Sequence, residues 1–452
     1  MKKLALILAL VLVMSVMATA CSSSTPDSTT SSVTTAAPSG TASAPSNAGG
    51  EKQPVTMRMT WWGSQTRHDL TQEAAKLFME RNPHVTIETE FSAWDGYWER
   101  LATQIAGNNL SDVFQQDYQY LNQYAKNGVM YDLTDYIGNG IDTTYVEENT
   151  WAGGAVDGRI YAVSLGLNSQ CVVYDPELVA QAGMQPPAER WTWDEYIAYI
   201  KELNSKLGFY GEEHFASSYY HGLNLWLRQR GFSVYNAEGT GLGYEDDQLF
   251  ADYYQMDRDL VAAGAVAPPD IRDEITSVEN QLIVTQRSAM LGSLGGSNQL
   301  AALNNAAGRE LKMTSLPMTE GEKSGQFLKP SQYFSVYSKT SIPEECIAWL
   351  DFVTNDVDCN NILKGERGVP ISSAIREALA PTLDAAQTEI FRYIDSVSQF
   401  AHPIGNPEPP AHAELDGILK NIRYEMVSGA ISPLDGAKKY RAEAERVFAA
   451  QS

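Results

Sequence analysis

Apolar positions set the reading frame of the chain. Val55 to Thr60 is extended and apolar-rich, and Leu70, Ala74, Leu77 and Phe78 then recur at helical spacing, so a strand is predicted to run into a helix across Trp61-Trp62-Gly63-Ser64-Gln65-Thr66-Arg67-His68-Asp69. Thr66 and Asp69 have capping-box spacing and place the helix start there. Pro83 stops this pattern, and Val85, Ile87, Thr89 and Phe91 alternate as a second strand. Ser92 and Asp95 are expected to cap a second helix with Trp94, Tyr97, Trp98, Leu101 and Ile105 on one face. Asp112-Val113-Phe114 reads as a third strand, followed by Asp117-Tyr118-Gln119-Tyr120 and a helix ending near Gly128. Strand, helix, strand, helix, strand is the doubly wound α/β pattern. Ligands bind beyond the carboxyl ends of such strands, where helix N-termini expose unpaired N–H groups. The Trp61–Asp69 turn therefore reads as a binding mouth that favours anions, and Asp117, Tyr118 and Tyr120 fall on the same edge.

The later chain continues the alternation. Asp157-Gly158 is a hairpin turn, and Ile160 to Leu165 and Cys171 to Tyr174 read as strands. Pro176 suits a first helical position, and Thr192 with Glu195 forms a capping box for a helix to about Leu207. An aromatic and hydroxyl cluster, Phe215 to His221 with Tyr219 and Tyr220, precedes the helix that carries Trp226. Leu249, Tyr253, Met256 and Leu260 mark another helix, and Ser288 to Leu291 leads as a strand into the glycine-rich Gly292 to Asn298. From Pro343 the chain is mostly helical, interrupted by Gly365 to Pro370 and by the Pro-rich run Pro403 to Pro410.

At 452 residues the chain can build two cores. Its formal net charge of -23 excludes nucleic acid as a partner, because phosphate contacts need clustered Lys and Arg. Beyond Cys21 only Cys171, Cys346 and Cys359 remain, without metal-ligand spacing. Neither a metal nor a cofactor is expected. The thiols read as buried and free, with a Cys346–Cys359 bridge as the alternative.

Lys2 and Lys3, an apolar run from Leu4 to Met14 and Ala18-Thr19-Ala20-Cys21 have the three parts of a secretory signal. Small residues ending at a cysteine resemble a bacterial lipobox, with residues 1–20 removed and Cys21 acylated; Ala18 stands where leucine is commonest. Removal of that segment takes two lysines and leaves a charge of -25. Residues 22–53 are Ser, Thr, Ala, Pro and Gly almost throughout and read as a disordered tether, its ends roughly 30 Å apart on average. The expected address is the outer face of the cytoplasmic membrane.

Several of these features occur together in one family. The exported lipoprotein start, Thr60-Trp61-Trp62-Gly63, Asn82-Pro83-His84-Val85, Ser111-Asp112-Val113 and Ala289-Met290 before a Gly/Ser turn resemble the family 1 extracellular solute-binding proteins of ABC sugar importers. The likeness covers about residues 55 to 450. Gln65 to Asp69, Trp94-Asp95-Gly96-Tyr97-Trp98, Lys329-Pro330-Ser331 and Lys364 to Pro370 resemble the branch tied to rhamnogalacturonan (pectin) oligosaccharides. The resemblance implies a type II periplasmic-binding-protein-like α/β fold, two lobes with a hinge and an interlobe cleft. Residues 54–163 and 293–338 would form one lobe and 164–292 and 339–452 the other. Hinge strands would lie near Tyr161 to Leu165 and Ala289 to Gly292. The partners implied are an oligosaccharide and an ABC permease, with the protein itself a monomer.

A sugar presents apolar C–H faces ringed by hydroxyls and needs flat aromatic platforms with fixed polar groups. Trp62, Trp94, Tyr118, Tyr120, Tyr219, Tyr220 and Trp226 are platform candidates, each also readable as core. Gly63, Gln65, Asp117, Ser297 and Asn298 are candidates for the polar set, and Arg67, Lys329 and Arg367 for a uronic acid carboxylate. Arg367 could equally pin its own loop. A lipid-anchored polysaccharide-degrading enzyme is the rival class, but no carboxylate pair or nucleophile elbow is marked by motif. A binding protein acting as a sensor or adhesin is the third.

Overall fold

The structure, a computed structural model, describes residues 52–215, 219–294, 296–319 and 324–451. The expected signal segment, Cys21 and nearly all of the tether lie outside the described residues, as do the side chains of Asp95 and Tyr219.

The first part of the chain follows the doubly wound expectation: β1 (Val55–Trp62), α1 (Gln65–Arg81), β2 (Val85–Ser92), α2 (Trp94–Ala106), β3 (Val113–Gln116) and α3 (Tyr118–Lys126). β1 pairs in parallel with β2 from Val55–Val85 to Trp62–Ser92, and with β3 on its other edge. Two helix starts differ from expectation. Ser64, not Thr66, caps α1, its hydroxyl accepting the Arg67 N–H at 3.4 Å, while Asp69 accepts from Gln65. Serine directly after Gly63 is well suited to a cap and leaves Thr66 inside the first turn. Ser92 is held in β2 by its pairing with Trp62, so α2 starts after Ala93 without a side-chain cap. The Thr192–Glu195 capping box and Pro176 in the first turn of the Pro176–Gln181 helix stand as expected.

A five-stranded sheet runs in the order β2, β1, β3, Tyr333–Val336, Val163–Ser164, the last two antiparallel additions. A four-stranded sheet runs Lys312–Thr314, Cys171–Tyr174, Ser288–Leu294, Tyr210–Glu212. Lys312–Thr314, expected with the first lobe, therefore belongs to the second sheet. The Pro343–Asn355 helix, expected with the second lobe, packs on the first: Trp349 meets Phe78 of α1 edge to face at 5.4 Å. Local periodicity reveals a strand or a helix, whereas its sheet is decided by partners far along the chain.

Period-two alternation splits β1 between two cores. Met57, Met59 and Trp61 join Phe78 and Trp349 on one face, and Trp62 joins Tyr97, Leu101, Phe114 and Tyr333 on the other. A separate aromatic-rich core holds the second sheet's helices together around Trp193, Phe215, Tyr253 and Tyr440. Cys171, Cys346 and Cys359 are buried free thiols. The sheets are joined where Leu167–Asn168 pairs antiparallel with Lys329–Pro330, each strand lying on a segment that leaves one sheet for the other.

Candidate functional site

Beside that paired crossover lies a cavity of about 310 Å³, lined by residues from the crossover itself and from helices and loops associated with the two sheets. β3 ends at Gln116, Asp117 caps α3 by accepting the Gln119 N–H at 3.0 Å, and Tyr118 is thereby aimed into the cavity from the first sheet. Tyr220, His221, Asn224 and Arg228 enter from the Tyr219–Arg228 helix of the second core. Asn168 to Gln170, Phe327 and Lys329 come from the crossover, and residues 404–408 of the Pro-rich run close one side.

Arg228 organises that side. Its guanidinium donates to the carbonyls of Gly325 at 2.8 Å, Ile404 at 2.9 Å and Pro403 at 2.6 Å, and it lies 5.0 Å over the Phe327 ring. Tyr118 donates its hydroxyl to the next carbonyl, Gly405. Three consecutive carbonyls are thus taken by side chains from two cores. Tyr220 stacks on Tyr235 at 5.5 Å and meets His412 edge-on at 4.4 Å, which fixes its ring. Burial holds His221 below its ordinary value, and raises the Asp117 carboxyl above its own while the nearby Lys329 charge pulls it back down. The Asn168 amide oxygen is buried without a partner, as is the Ser297 hydroxyl, whose backbone N–H donates to Ser169. A buried polar atom left unpaired costs free energy, and of these two residues Asn168 lines the cavity while Ser297 does not.

Among the residues singled out by sequence, Tyr118, Tyr220 and Lys329 line the cavity and Asp117 stands beside it. Trp62, Trp94 and Tyr120 belong to an adjoining aromatic cluster against which Tyr118 also packs. In it Trp62 is 7% exposed and Trp94 36% exposed, their rings 5.0 Å apart and nearly perpendicular. Trp226 is buried in the second core with its indole N–H on the Leu249 carbonyl and Arg230 over its ring. Gln65 and Asn298 are exposed, and Gly63 donates its N–H to Ser92. Arg67 is paired with Glu366 at 2.8 Å, and Arg367 is buried on Gln115 and Thr71. Asn224, Arg228 and Asn168 carry no local sequence signal, while His221 falls in the Phe215 to His221 cluster and residues 404–408 in the Pro403–Pro410 break without being marked as ligand contacts. Among the described residues no cluster of three His, Cys, Asp or Glu side chains is placed to hold a metal, and no helix is long and apolar enough to cross a membrane.

The chain is 28% identical to an extracellular solute-binding protein family 1 member from Alicyclobacillus acidocaldarius, with a TM-score of 0.81 over 88% of this chain and 99% of that one. A periplasmic oligogalacturonide binding protein from Yersinia enterocolitica shares the fold at a TM-score of 0.73 and 19% identity, over 88% and 99% of the two chains. The diacetylchitobiose binding protein DasA of Streptomyces coelicolor is 23% identical over 394 residues, 85% of this chain and 87% of that one. Against putative binding proteins of Brucella the match is 26% over 176 residues, 37% of this chain, and spans 41% of their length. Residues 63–358 match the family described as bacterial extracellular solute-binding protein, and the chain belongs to it.

Proposed function

We propose that the protein captures an oligosaccharide in the cavity at the crossover and delivers it to an ABC permease without changing it chemically. The observation that carries this reading is the cavity itself. Tyr118 and Tyr220 enter it from different cores, each fixed by its neighbours, and Asn168, Asn224, His221 and Lys329 line it with them. Its volume of about 310 Å³ lies at the lower end of the range for small-ligand sites. Closing two lobes on a sugar stacks rings on its C–H faces and brings fixed amides to its hydroxyls. The ligand is inferred to be pectin-derived. Lys329 supplies an exposed cation for a uronic acid carboxylate, and an oligogalacturonide binder stands among the proteins of this fold.

A thermal-shift series on residues 54–452, with product analysis, tests this. At about 100 times its Kd a true ligand adds roughly 2.7 kcal/mol of stability. The expected result is a rise with galacturonide oligosaccharides, or rhamnose-containing ones, that are recovered intact. A rise with neutral sugars alone, diacetylchitobiose among them, removes the pectin assignment, and cleaved product removes the binding-protein role.

The acylated cysteine belongs to the same proposal: Cys21 holds the body at the outer face of the cytoplasmic membrane through the Ser/Thr tether. Cys21→Ser is expected to release the protein from membranes into the soluble fraction, and retention of the variant would contradict the anchor.

A further inference from the structure

Glu366 and Arg367 are consecutive, and their side chains leave in two directions that meet again at one atom. Glu366 accepts both contacts of the Arg67 Nε–H, at 3.0 and 2.8 Å, and Arg67 Nη1 donates to the Trp62 carbonyl at 3.3 Å. Arg367 Nε donates to the Gln115 amide oxygen at 3.2 Å, and the Gln115 amide nitrogen donates to that same Trp62 carbonyl at 3.2 Å. A third strand of the network runs from Arg367 Nη2 to the Thr71 hydroxyl at 2.8 Å and on to the Arg67 carbonyl at 2.7 Å. The loop, the start of α1, the end of β1 and β3 are closed into one ring of hydrogen bonds around Trp62.

The arrangement is costly unless it positions something. Arg367 is 6% exposed, burial lowers its guanidinium to about 9, and its side-chain bonds go to neutral groups while its charge lies 5.5 Å over the Phe334 ring. The backbone of the same loop is tied to the crossover: Leu167 and Val369 exchange hydrogen bonds at 2.7 and 3.2 Å, and Ser331 donates to the Arg367 carbonyl. A side chain at position 166 would strike the Arg367 carbonyl and Gly368, so Gly166 permits this close approach.

We propose that Arg367 is a positioning residue: with Glu366, through Gln115 and Arg67, it sets the Trp62 backbone and hence the face that Trp62 presents to Trp94, and it links that aromatic surface to the crossover strand. Neither arginine then contacts the ligand. The functional consequence rests on the sugar-binding reading, but the structural one does not.

5-Fluorotryptophan labelling gives one 19F resonance for each of the nine tryptophans, with Trp62 and Trp94 assigned from single Trp→Phe variants. Gln115→Glu keeps an acceptor for Arg367 and removes the donor to Trp62. Arg367→Lys keeps charge but cannot reach Gln115 and Thr71 together. In the unliganded protein both variants are expected to shift or broaden the Trp62 and Trp94 lines, leaving Trp191, Trp193 and Trp226 in place as the folding control. Glu366→Gln, on the more accessible arm, should do so more weakly. Oligosaccharide affinity is expected to fall about tenfold, the order expected when the Trp62 and Trp94 surface is displaced rather than when a ligand contact is deleted. Unmoved Trp62 and Trp94 lines in both Gln115→Glu and Arg367→Lys would overturn the proposal. Moved lines in a protein that binds no sugar would sustain the positioning role and remove the sugar-binding reading instead.

Discussion

A guanidinium near a helix N-terminus is repelled by the helix dipole and needs a carboxylate close by. For Arg67 that carboxylate is Glu366, 299 positions later in sequence, so the anion expected from a ligand is supplied by the protein. Glu213 shows the same competition with its sign reversed. It is buried beside His214 and accepts the N–H groups of Leu282 at 2.7 Å and Ile283 at 3.2 Å. Burial pushes its carboxyl up to about 7, against the downward pull of those N–H groups and Arg272. A group whose folded value lies above its unfolded one favours the fold most at low pH. The contribution is complete below about 4.5, the ordinary glutamate value, and is lost as pH rises through about 7. His214 works oppositely, its ring held well below the ordinary value by burial, so its contribution is lost as pH falls below 6.5. Comparing Glu213→Gln with wild type isolates the first effect. The urea midpoint of the variant should gain on that of wild type as pH rises from 5 to 8, and a constant gap across that range would show that Glu213 does not titrate there.

At the scale of elements, what could be read from sequence was what near neighbours decide. The extended, apolar-rich run Val55 to Thr60 predicts β1, and the strand's period of two then divides it between two cores, Met57, Met59 and Trp61 on one face and Trp62 on the other. The Thr192–Glu195 box is complete within four residues, and both of its bonds are present. By contrast, the Ser64 cap is obscured because Thr66 and Asp69 mimic a box two residues later. Arg228 was missed for a different reason. It makes its three carbonyl bonds to residues 97 to 176 positions away, and an arginine at the end of a helix reads locally as a solvated C-terminal charge. The Pro403–Pro410 run was visible as a break, yet nothing local says that its carbonyls face a cavity. Arginine suits that position, since its planar fork can serve several acceptors from one place where a lysine would serve them as a point charge.

For the whole molecule the question is how an acidic protein would take up the acidic sugar proposed for it. The net charge of -23 repels a galacturonide at a distance. Within the cavity the balance is close to neutral: Arg228 and Lys329 face Glu408, with Asp117 beside them and His221 biased to its uncharged form. Long-range repulsion therefore acts on the approach, and short-range hydrogen bonds and stacking act on the bound state. Screening separates the two, because the Debye length falls from about 30 Å at 0.01 M salt to about 8 Å at 0.15 M. Raising salt over that range should speed association of a galacturonide oligosaccharide several-fold while leaving its dissociation rate nearly unchanged, and a neutral oligosaccharide should show neither effect. Stopped-flow tryptophan fluorescence measures both rates, since Trp94 lies next to Trp62 and partly in solvent. If association slows instead as salt is added, the local field of Lys329 and Arg228 outweighs the charge of the rest of the molecule, and the cleft itself steers the acidic ligand in.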